Sequence, residues 1–311
     1  MRPRAAVAGG GPRALTLALA LGDCGHQVTL ILDDAHDLAR TADLLARAGR
    51  TGAVGLAVGA GAAAGAHLVI ETEGRVPVLD AVARPGVLAV GLDAGLPPGP
   101  GRAVIAIAAP PPDLGVIEIL AGSDPGAAAL VRRLGATPVT VPRFIAPGLL
   151  AAVEDAAEAL IFEGSTPWEV DAAAEALGFA PGPCAAQDRR GLDQAHTRHR
   201  RDGHPLPVLA RMVAEGRLGR KAGVGWYRYP GGGGHVIDPL IEDLAREEAH
   251  FAGLAPRAVT DAEIRERLRA ALGQAARATG AEPAALALVA KAALGLTPGA
   301  VAEWLDPAAP G

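Results

Sequence analysis

The 311-residue sequence predicts an α/β domain followed by an all-helical domain. Over residues 1–141, short apolar runs alternate with segments of helical periodicity, which is typical of βαβ units and a mostly parallel sheet. A glycine-rich turn at residues 9–11 joins the first apolar run to the first helical segment. From Phe144 onward apolar residues recur only at helical spacing, so we place the domain boundary near residues 141 and 142.

The first domain is expected to form a doubly wound sheet with helices on both faces. Strands are predicted over residues 5–8, 28–32, 67–71, 86–91, 104–108 and 116–120. Helices are predicted over residues 12–21, 35–47, 76–83 and 125–134. The segment between residues 50 and 65 is short, so little chain is left there for a projecting helix.

The second domain carries apolar residues at helical spacing behind Ser, Thr, Asp or Pro residues that can begin a helix. Helices are predicted over residues 151–163, 167–177, 205–215, 240–251 and 261–279. Residues 231–234 are glycines and divide this part of the chain. Because the stretches after Leu150 and Glu263 share a pattern, we interpret 142–232 and 236–311 as two helical repeats. The alternative is that residues 260–311 are an appended helical tail.

Composition excludes several function classes. A formal net charge of −5 and a pI near 5.9 provide no general attraction to nucleic acid or anionic lipid, so neither is an expected partner. Cys24 and Cys184 lie far apart without a CxxC pattern, so a disulfide framework or zinc site is not expected. The N-terminus does not resemble a signal peptide, and the apolar run 14–21 is too short to span a bilayer. We therefore expect a cytoplasmic protein.

The glycine-rich turn points to a dinucleotide. Gly9, Gly11 and Ala14 fit the pattern GxGxx(G/A) between a predicted strand and a predicted helix. Glycines allow the backbone to approach a pyrophosphate, which then lies at the N-terminus of the helix, where N–H groups favour negative charge. Pro12 suits the first turn of that helix, and Arg13 follows it. The alternative is a tight strand-to-helix turn that binds no ligand.

Two longer stretches resemble the NAD-dependent 3-hydroxyacyl-CoA dehydrogenases. They are VIAIAAPPPDLGVIEIL at residues 104–120 and GRLGRKAGVGWYRY at residues 216–229. Thr260 and Asp261 begin a segment similar to the second helical repeat of multifunctional β-oxidation proteins. The resemblance implies a Rossmann-like NAD-binding domain over 1–141 and helical repeats after it. The implied ligands are NAD and a 3-hydroxyacyl- or 3-ketoacyl-CoA.

The first stretch lacks polar groups that the family uses for chemistry. In the register set by the prolines at 110–112, the catalytic histidine position is Ala106 and an asparagine position is Ala109. Glu118 corresponds to the glutamate that orients the histidine. A further asparagine position is Pro147. The substrate-contacting serine, expected within 91–96, falls on Asp93, Ala94 or Gly95.

Two hypotheses follow from these substitutions. The leading one is a family member with little or no ordinary dehydrogenase activity, which serves as a binding or partner subunit in acyl-CoA metabolism. The rival is an oxidoreductase acting on a different hydroxy substrate, with Glu118, Glu71 or the substrate itself as the base. For Glu118 an alternative is that it is only a partly exposed acid at a strand end.

The acidic residues after the second strand bear on cofactor choice. The family's spacing puts Leu32 where a carboxylate should bind the adenosine ribose, with Asp33 and Asp34 one and two places later. Asp33 can substitute if the strand ends early; otherwise the two acids cap the next helix. By resemblance, Glu71 also lies at the cofactor site. No arginine follows until Arg40, so NAD is preferred over NADP.

Residues 189–204 contain three histidines and a group of arginines. His196 and His199 are three residues apart, but no third ligand stands at a suitable spacing for a metal site. A solvated basic face is the simplest interpretation, and attraction of the phosphates of a coenzyme A tail is the other. For assembly, we expect helices 151–163 and 261–279 to pack together, giving a monomer or weak dimer.

Overall fold

The structure, a computed structural model, describes residues 2–73, 79, 86–92, 97–231, 233–297 and 299–301. The chain forms two compact units, Met1–Phe144 and Ile145–Gly311, so the division lies three residues after the predicted boundary. Most of the predicted helix 76–83 and the predicted serine position at 93–95 lie outside the described residues. Within the described part of the chain, no helix is long and apolar enough to cross a membrane.

The first unit is built on an eight-stranded sheet of order β3-β2-β1-β4-β5-β6-β7-β8. Its strands are β1 Arg4–Ala8, β2 Gln27–Leu32, β3 Gly55–Val58, β4 Leu68–Glu71, β5 Leu88–Leu92, β6 Arg102–Ile107, β7 Val116–Leu120 and β8 Thr137–Val141. Neighbouring strands are parallel except for the antiparallel pair β6 and β7. The predicted Rossmann-like doubly wound sheet is confirmed.

Helices in this unit pack on the sheet through residues that alternate along the strands. The helices are α1 Pro12–Asp23, α2 Ala35–Arg47 and α3 Gly126–Arg133. Ala5 and Val7 of β1 share one buried cluster with α1, whereas Ala6 and Ala8 belong to a second cluster with a short 3₁₀ turn at Ala60–Ala63. Residues 50–65 hold only β3 and this turn, which agrees with the short segment seen in the sequence.

The second unit is mainly helical. Its helices are α4 Ala146–Glu163, α5 Pro167–Ala176, α6 Pro183–Arg190, α7 Leu192–Arg201, α8 Pro207–Ala214, α9 Leu240–Phe251, α10 Asp261–Thr279 and α11 Pro283–Leu294. The expectation that strands end at Phe144 is wrong in one place, because β9 Tyr227–Arg228 and β10 Val236–Ile237 form a short antiparallel ribbon. Helix α4 begins five residues before its predicted start, since Pro147 is tolerated in a first turn.

Helix α10 packs against α4, which confirms the predicted contact between these two segments. Charged groups at the end of α4 reinforce the packing. Glu163 accepts hydrogen bonds from Arg257 at 2.6 Å and from Arg267 of α10 at 2.9 Å. The backbone N–H of Arg257 also donates to the carbonyl of Glu163 at 2.8 Å, and its guanidinium bonds Glu263. The chain before α10 is therefore fixed to the end of α4.

Candidate dinucleotide site and catalytic edge

The glycine-rich turn lies at the carboxyl end of β1, between β2 and β4, where the strand order reverses. Ligands of doubly wound sheets bind at such switch points. Gly9 has φ +136°, and a Cβ there would collide with the hydroxyl of Thr72, so this position requires glycine. Gly11 is the N-cap of α1, and the space where its Cβ would lie is open. The backbone of the turn is thus shaped for the close approach of a phosphate.

The start of α1 supplies fewer donors than a standard helix start. Pro12 is its first residue and has no backbone N–H, and Arg13 is its second. The N–H of Gly10 donates to Oε1 of Glu73 at 2.8 Å. A carboxylate of the chain itself therefore lies at the turn that would hold a pyrophosphate.

The predicted ribose acid and the strand-end glutamate lie at the same edge of the sheet. Leu32 is buried as the last residue of β2, and Asp33 is exposed directly after it. Asp34 is the N-cap of α2 and accepts from the N–H of Asp37 at 2.8 Å, so capping is correct for Asp34. Glu71 is fully buried at the end of β4, and its Oε1 accepts from the N–H of Glu73 at 2.9 Å.

The two positions where the resemblance places a catalytic histidine and an asparagine lie near the carboxyl end of β6. Ala106 and Ala109 are buried, and Ala106 is paired directly with Glu118 across the antiparallel strands β6 and β7. Side chains of directly opposed residues point to the same face of a sheet, about 5 Å apart at Cβ. Glu118 is fully buried, so the alternative of a partly exposed strand-end acid is wrong. A methyl group therefore stands beside Glu118 where the resemblance places an imidazole.

The histidines of the first unit lie elsewhere in the fold. The sequence of this unit contains His26, His36 and His67. His26 and His67 come directly before β2 and β4, at the opposite edge of the sheet, and His36 lies in the first turn of α2. Among the described residues of both units, no three histidine, cysteine or acidic side chains are placed to hold a metal ion.

In the second unit, the glycine-rich stretch 216–229 is held by a buried carboxylate. Asp188 accepts from the N–H groups of Trp226 and Tyr227 at 2.9 and 3.0 Å, and from the Tyr229 hydroxyl at 2.9 Å. A Cβ at Gly219 or at Gly225 would collide with Asp188. Burial raises the pKa of Asp188 to about 6 against these hydrogen bonds. This stretch therefore fixes the packing of the helical unit.

Two more buried carboxylates cap helices. Asp171 accepts from the N–H groups of Cys184 and Ala185 in the first turn of α6, at 2.8 and 2.9 Å. Glu158 accepts from Val208 and Leu209 in the first turn of α8, at 2.7 and 3.2 Å. Burial raises the pKa of Asp171 to about 6 and that of Glu158 to about 8, although the N–H donors oppose the shift.

The interpretation of residues 189–204 as a solvated basic face is wrong for its inner members. Arg190, Arg198 and His199 converge on the buried carboxylate of Glu154 in α4, with His199 Nε2 2.8 Å and Arg190 3.2 Å from it. Burial alone would raise the pKa of Glu154, but the bond to His199 and the two guanidinium charges lower it to about 2. Pro147, the other vacant asparagine position, lies in the first turn of α4.

Two features of the structure were not anticipated from the sequence. Glu73 follows Glu71 by two residues, and because β4 adjoins β1 in parallel, residues just past Glu71 must reach the glycine turn. Glu154 and Glu158 are one helical turn apart within an apolar helix, a spacing that puts both on one face. Both patterns are visible in the sequence, but each residue bonds a partner from a distant segment, and the sequence does not identify that partner.

Comparison with known proteins agrees with these features. Residues 144–229 match the family model described as 3-hydroxyacyl-CoA dehydrogenase, C-terminal domain. The peroxisomal bifunctional enzyme of Danio rerio is 33% identical over 169 residues, covering 47% of this chain and 24% of that protein. The human protein of the same name is 30% identical over 160 residues, covering 44% of this chain and 22% of its own length. Residues 144–229 are therefore similar to the C-terminal domain of the 3-hydroxyacyl-CoA dehydrogenases.

Solved structures support the fold. The 3-hydroxybutyryl-CoA dehydrogenase of Escherichia coli superposes with a TM-score of 0.64, covering 96% of this chain and 90% of that one, at 17% identity. The dehydrogenase part of multifunctional enzyme 1 from C. elegans gives a TM-score of 0.57, covering 89% and 73%, also at 17% identity. The chain spans about a quarter of the length of the curated relatives it matches.

Proposed function

We propose that this chain binds NAD(H) and an acyl-CoA-type ligand but has little of the ordinary 3-hydroxyacyl-CoA dehydrogenase activity. The observation that carries the proposal is the buried Ala106 beside Glu118. In the family's reaction a base takes the proton from the C3 hydroxyl of the substrate while the nicotinamide, when bound, accepts hydride from that carbon. A methyl group can neither take this proton nor bind the substrate oxygen.

The other substituted positions support the same conclusion. Ala109 is buried and apolar where an asparagine is expected, and Pro147 replaces a second asparagine. Losing a general base removes about 10²–10⁴ in rate, and losing groups that stabilise the oxyanion removes more. Glu118 alone has no imidazole to orient at Ala106. The chain is thus proposed to serve as a binding or partner subunit in acyl-CoA metabolism.

The decisive experiment is reduction of acetoacetyl-CoA by NADH with purified protein. We expect a rate at least about 10²–10⁴ below that of an active family member assayed alongside. The variant Ala106→His should recover little, because Ala109 also lacks the polar group that the resemblance places there, and such groups act as a unit. Turnover at the rate of the active relative by the unmodified chain would contradict the proposal. Titration calorimetry with NADH and with acetyl-CoA tests separately whether the chain binds these two ligands.

Cofactor preference follows from the acids after β2. Asp33 is exposed at the carboxyl end of that strand, near the expected place of the adenosine ribose. A carboxylate there can bind ribose hydroxyls and repels a 2′-phosphate. NADH should therefore bind more tightly than NADPH in a direct titration. The variant Asp33→Asn should narrow the difference, whereas an equal or reversed preference in the unmodified chain argues against this role of Asp33.

The second candidate function is an active oxidoreductase on a different hydroxy substrate. It is favoured by the full burial of Glu118 and Glu71, two carboxylates near the edge of the sheet that carries the glycine turn. A buried carboxylate can act as a base when a substrate proton comes within reach. If NADH-dependent turnover of any hydroxy or keto substrate is found, its loss in Glu118→Gln or Glu71→Gln would establish this candidate.

Assembly and compartment stay predictions. Because α10 covers α4 within one chain, we propose a monomer or weak dimer, which light scattering can measure. Deletion after Gly253 should then cause aggregation or new dimerisation, and an unchanged soluble monomer would indicate that the tail covers nothing. A cytoplasmic location stays an expectation from the sequence. The relatives named above are called peroxisomal, so their names do not support it.

A further inference from the structure

The N–H of Gly10 in the glycine turn already has an anionic partner. It donates to Glu73 Oε1 at 2.8 Å. Helix α1 has no acidic residue in its first turn and no side-chain cap at Gly11. Positive partial charge at a helix start attracts anions, and here the nearby anion comes from the segment after β4.

The backbone around Glu73 is fixed to β1 and β4. Thr72 donates its N–H and its hydroxyl to the carbonyl of Ala8, at 3.1 and 3.0 Å. The N–H of Glu73 donates to the buried Glu71 at 2.9 Å. A Cβ on Gly9 would lie 3.0 Å from Glu73 Oε1, so the absence of a side chain at Gly9 is what lets this segment approach. Three hydrogen bonds, two from Thr72 and one from the N–H of Glu73, thus hold the backbone that carries this carboxylate.

A second acid lies close to the same turn. Oδ2 of Asp37 is 3.6 Å from the place where a Cβ of Gly10 would be, while its Oδ1 pairs with Arg40 at 2.8 Å. The pyrophosphate of a dinucleotide carries two negative charges. Placing it at this turn brings it against Glu73 and near Asp37, and like charges at such distances repel.

We propose that Glu73 occupies the phosphate position of the glycine turn and competes with the pyrophosphate of NAD(H), which binds only when this carboxylate leaves Gly10. This inference rests on the proposed binding of NAD(H). Glu73 is exposed, so its side chain can rotate into solvent, and the competition lowers affinity without closing the site. The chain thereby sets its own cofactor affinity through one acidic side chain.

Two substitutions distinguish the effect of the negative charge of Glu73 from the effect of its side chain filling the phosphate position. Glu73→Gln keeps the shape and a carbonyl acceptor but removes the charge, and Glu73→Ala removes the group. The matched control is Asp43→Asn, which removes an equal charge from an exposed position on α2, paired with Arg47 at 2.6 Å. Affinity is measured by isothermal calorimetry with NADH and with ADP-ribose, which shares the pyrophosphate.

Both Glu73 variants should bind NADH and ADP-ribose about threefold to tenfold more tightly than the unmodified chain, with Asp43→Asn unchanged. Their unfolding temperature should fall slightly, because α1 loses an anion at its start. If the unmodified chain binds NADH and the Glu73 variants bind it no better, the competition is refuted while the proposed function stands. If neither the unmodified chain nor the variants bind NADH, both the competition and the cofactor part of the proposed function are refuted.

Discussion

Near the carboxyl end of β6, the positions expected to carry polar catalytic groups are the buried alanines 106 and 109. In the helical unit, by contrast, the described residues between 145 and 229 include four carboxylates buried among donors. Those four are Glu154, Glu158, Asp171 and Asp188, and each accepts hydrogen bonds from N–H groups or cations of its own unit. The family match at residues 144–229 contains all four. The region matched to the family therefore contains the carboxylates that fix the packing of the helical unit.

The largest effect is expected at Glu154. Glu154→Leu leaves Arg190, Arg198 and His199 without their buried counter-charge, which should cost about 3–5 kcal/mol of unfolding free energy. Urea unfolding of the variant measures it. Glu247→Gln, an exposed acid of α9, is the control and should change stability little. A Leu variant as stable as the unmodified chain would contradict this, because it would show that the helical unit does not need Glu154 as a buried counter-charge.

The same carboxylate predicts how acid affects the helical unit. The pKa of Glu154 is lowered from 4.5 to about 2 in the folded chain, so its contribution to stability is present above about pH 4.5 and is lost as the pH falls towards 2. Glu154→Leu should therefore remove part of the acid sensitivity as well as lowering stability at neutral pH.

Glu158 should give the opposite pH dependence. Its folded pKa is raised from 4.5 to about 8, so the stability it contributes is complete below about pH 4.5 and is lost as the pH rises through 8. Between pH 6.5 and 8.5, the unmodified chain should lose about 1–3 kcal/mol more of its unfolding free energy than the variant Glu158→Gln. Asp171 and Asp188, with pKa values of about 6, titrate mainly below pH 7, so the upper part of that window reports chiefly on Glu158. Parallel curves for variant and unmodified chain would mean that Glu158 is ionised throughout.

The smallest effects separate fold from ligand within the glycine turn. Gly9→Ala should destabilise the chain by about 1–3 kcal/mol, because φ is +136° and the methyl meets Thr72. In Gly11→Ala the added methyl meets nothing within 4 Å, so the free energy of unfolding should change by less than about 0.5 kcal/mol. If the turn binds a dinucleotide, Gly11→Ala should nevertheless weaken NADH binding, since the methyl projects into the ligand's space. Thermal unfolding and calorimetry on the same two proteins provide both measurements.

The sequence predicted the interior of the fold better than its edges. The bounds of α2, β7, α9 and α10 agree with the structure, because each combines strong periodicity with a clear start. Two strands of the eight-stranded sheet were not predicted, β3 and β8, and they are its two edge strands; the short ribbon β9–β10 was also missed. Edge strands need only one neighbour and tolerate weaker patterns; β8 even contains Pro138, which cannot donate to a ladder.

For the candidate site, positions were predictable but partners were not. The pairing of Ala106 with Glu118 follows the register expected from the motif. The contacts of Glu73 with Gly10 and of His199 with Glu154 join residues 63 and 45 positions apart, and no local pattern specifies such pairs. A charged residue beside a predicted motif can face solvent or a distant donor, and only the tertiary structure decides which.

Residues 254–260 have no regular secondary structure, yet Arg257 lies among them with its amide bonded to Glu163 and its guanidinium shared between Glu163 and Glu263. An irregular segment of this kind would ordinarily exchange its amide hydrogens quickly. Here the exchange of the Arg257 amide requires that Arg257 separates from the end of α4, and its guanidinium is also tied to Glu263 of α10. The connection between the two parts of the helical unit therefore opens together with those helices, as one cooperative unit, and does not act as a free hinge.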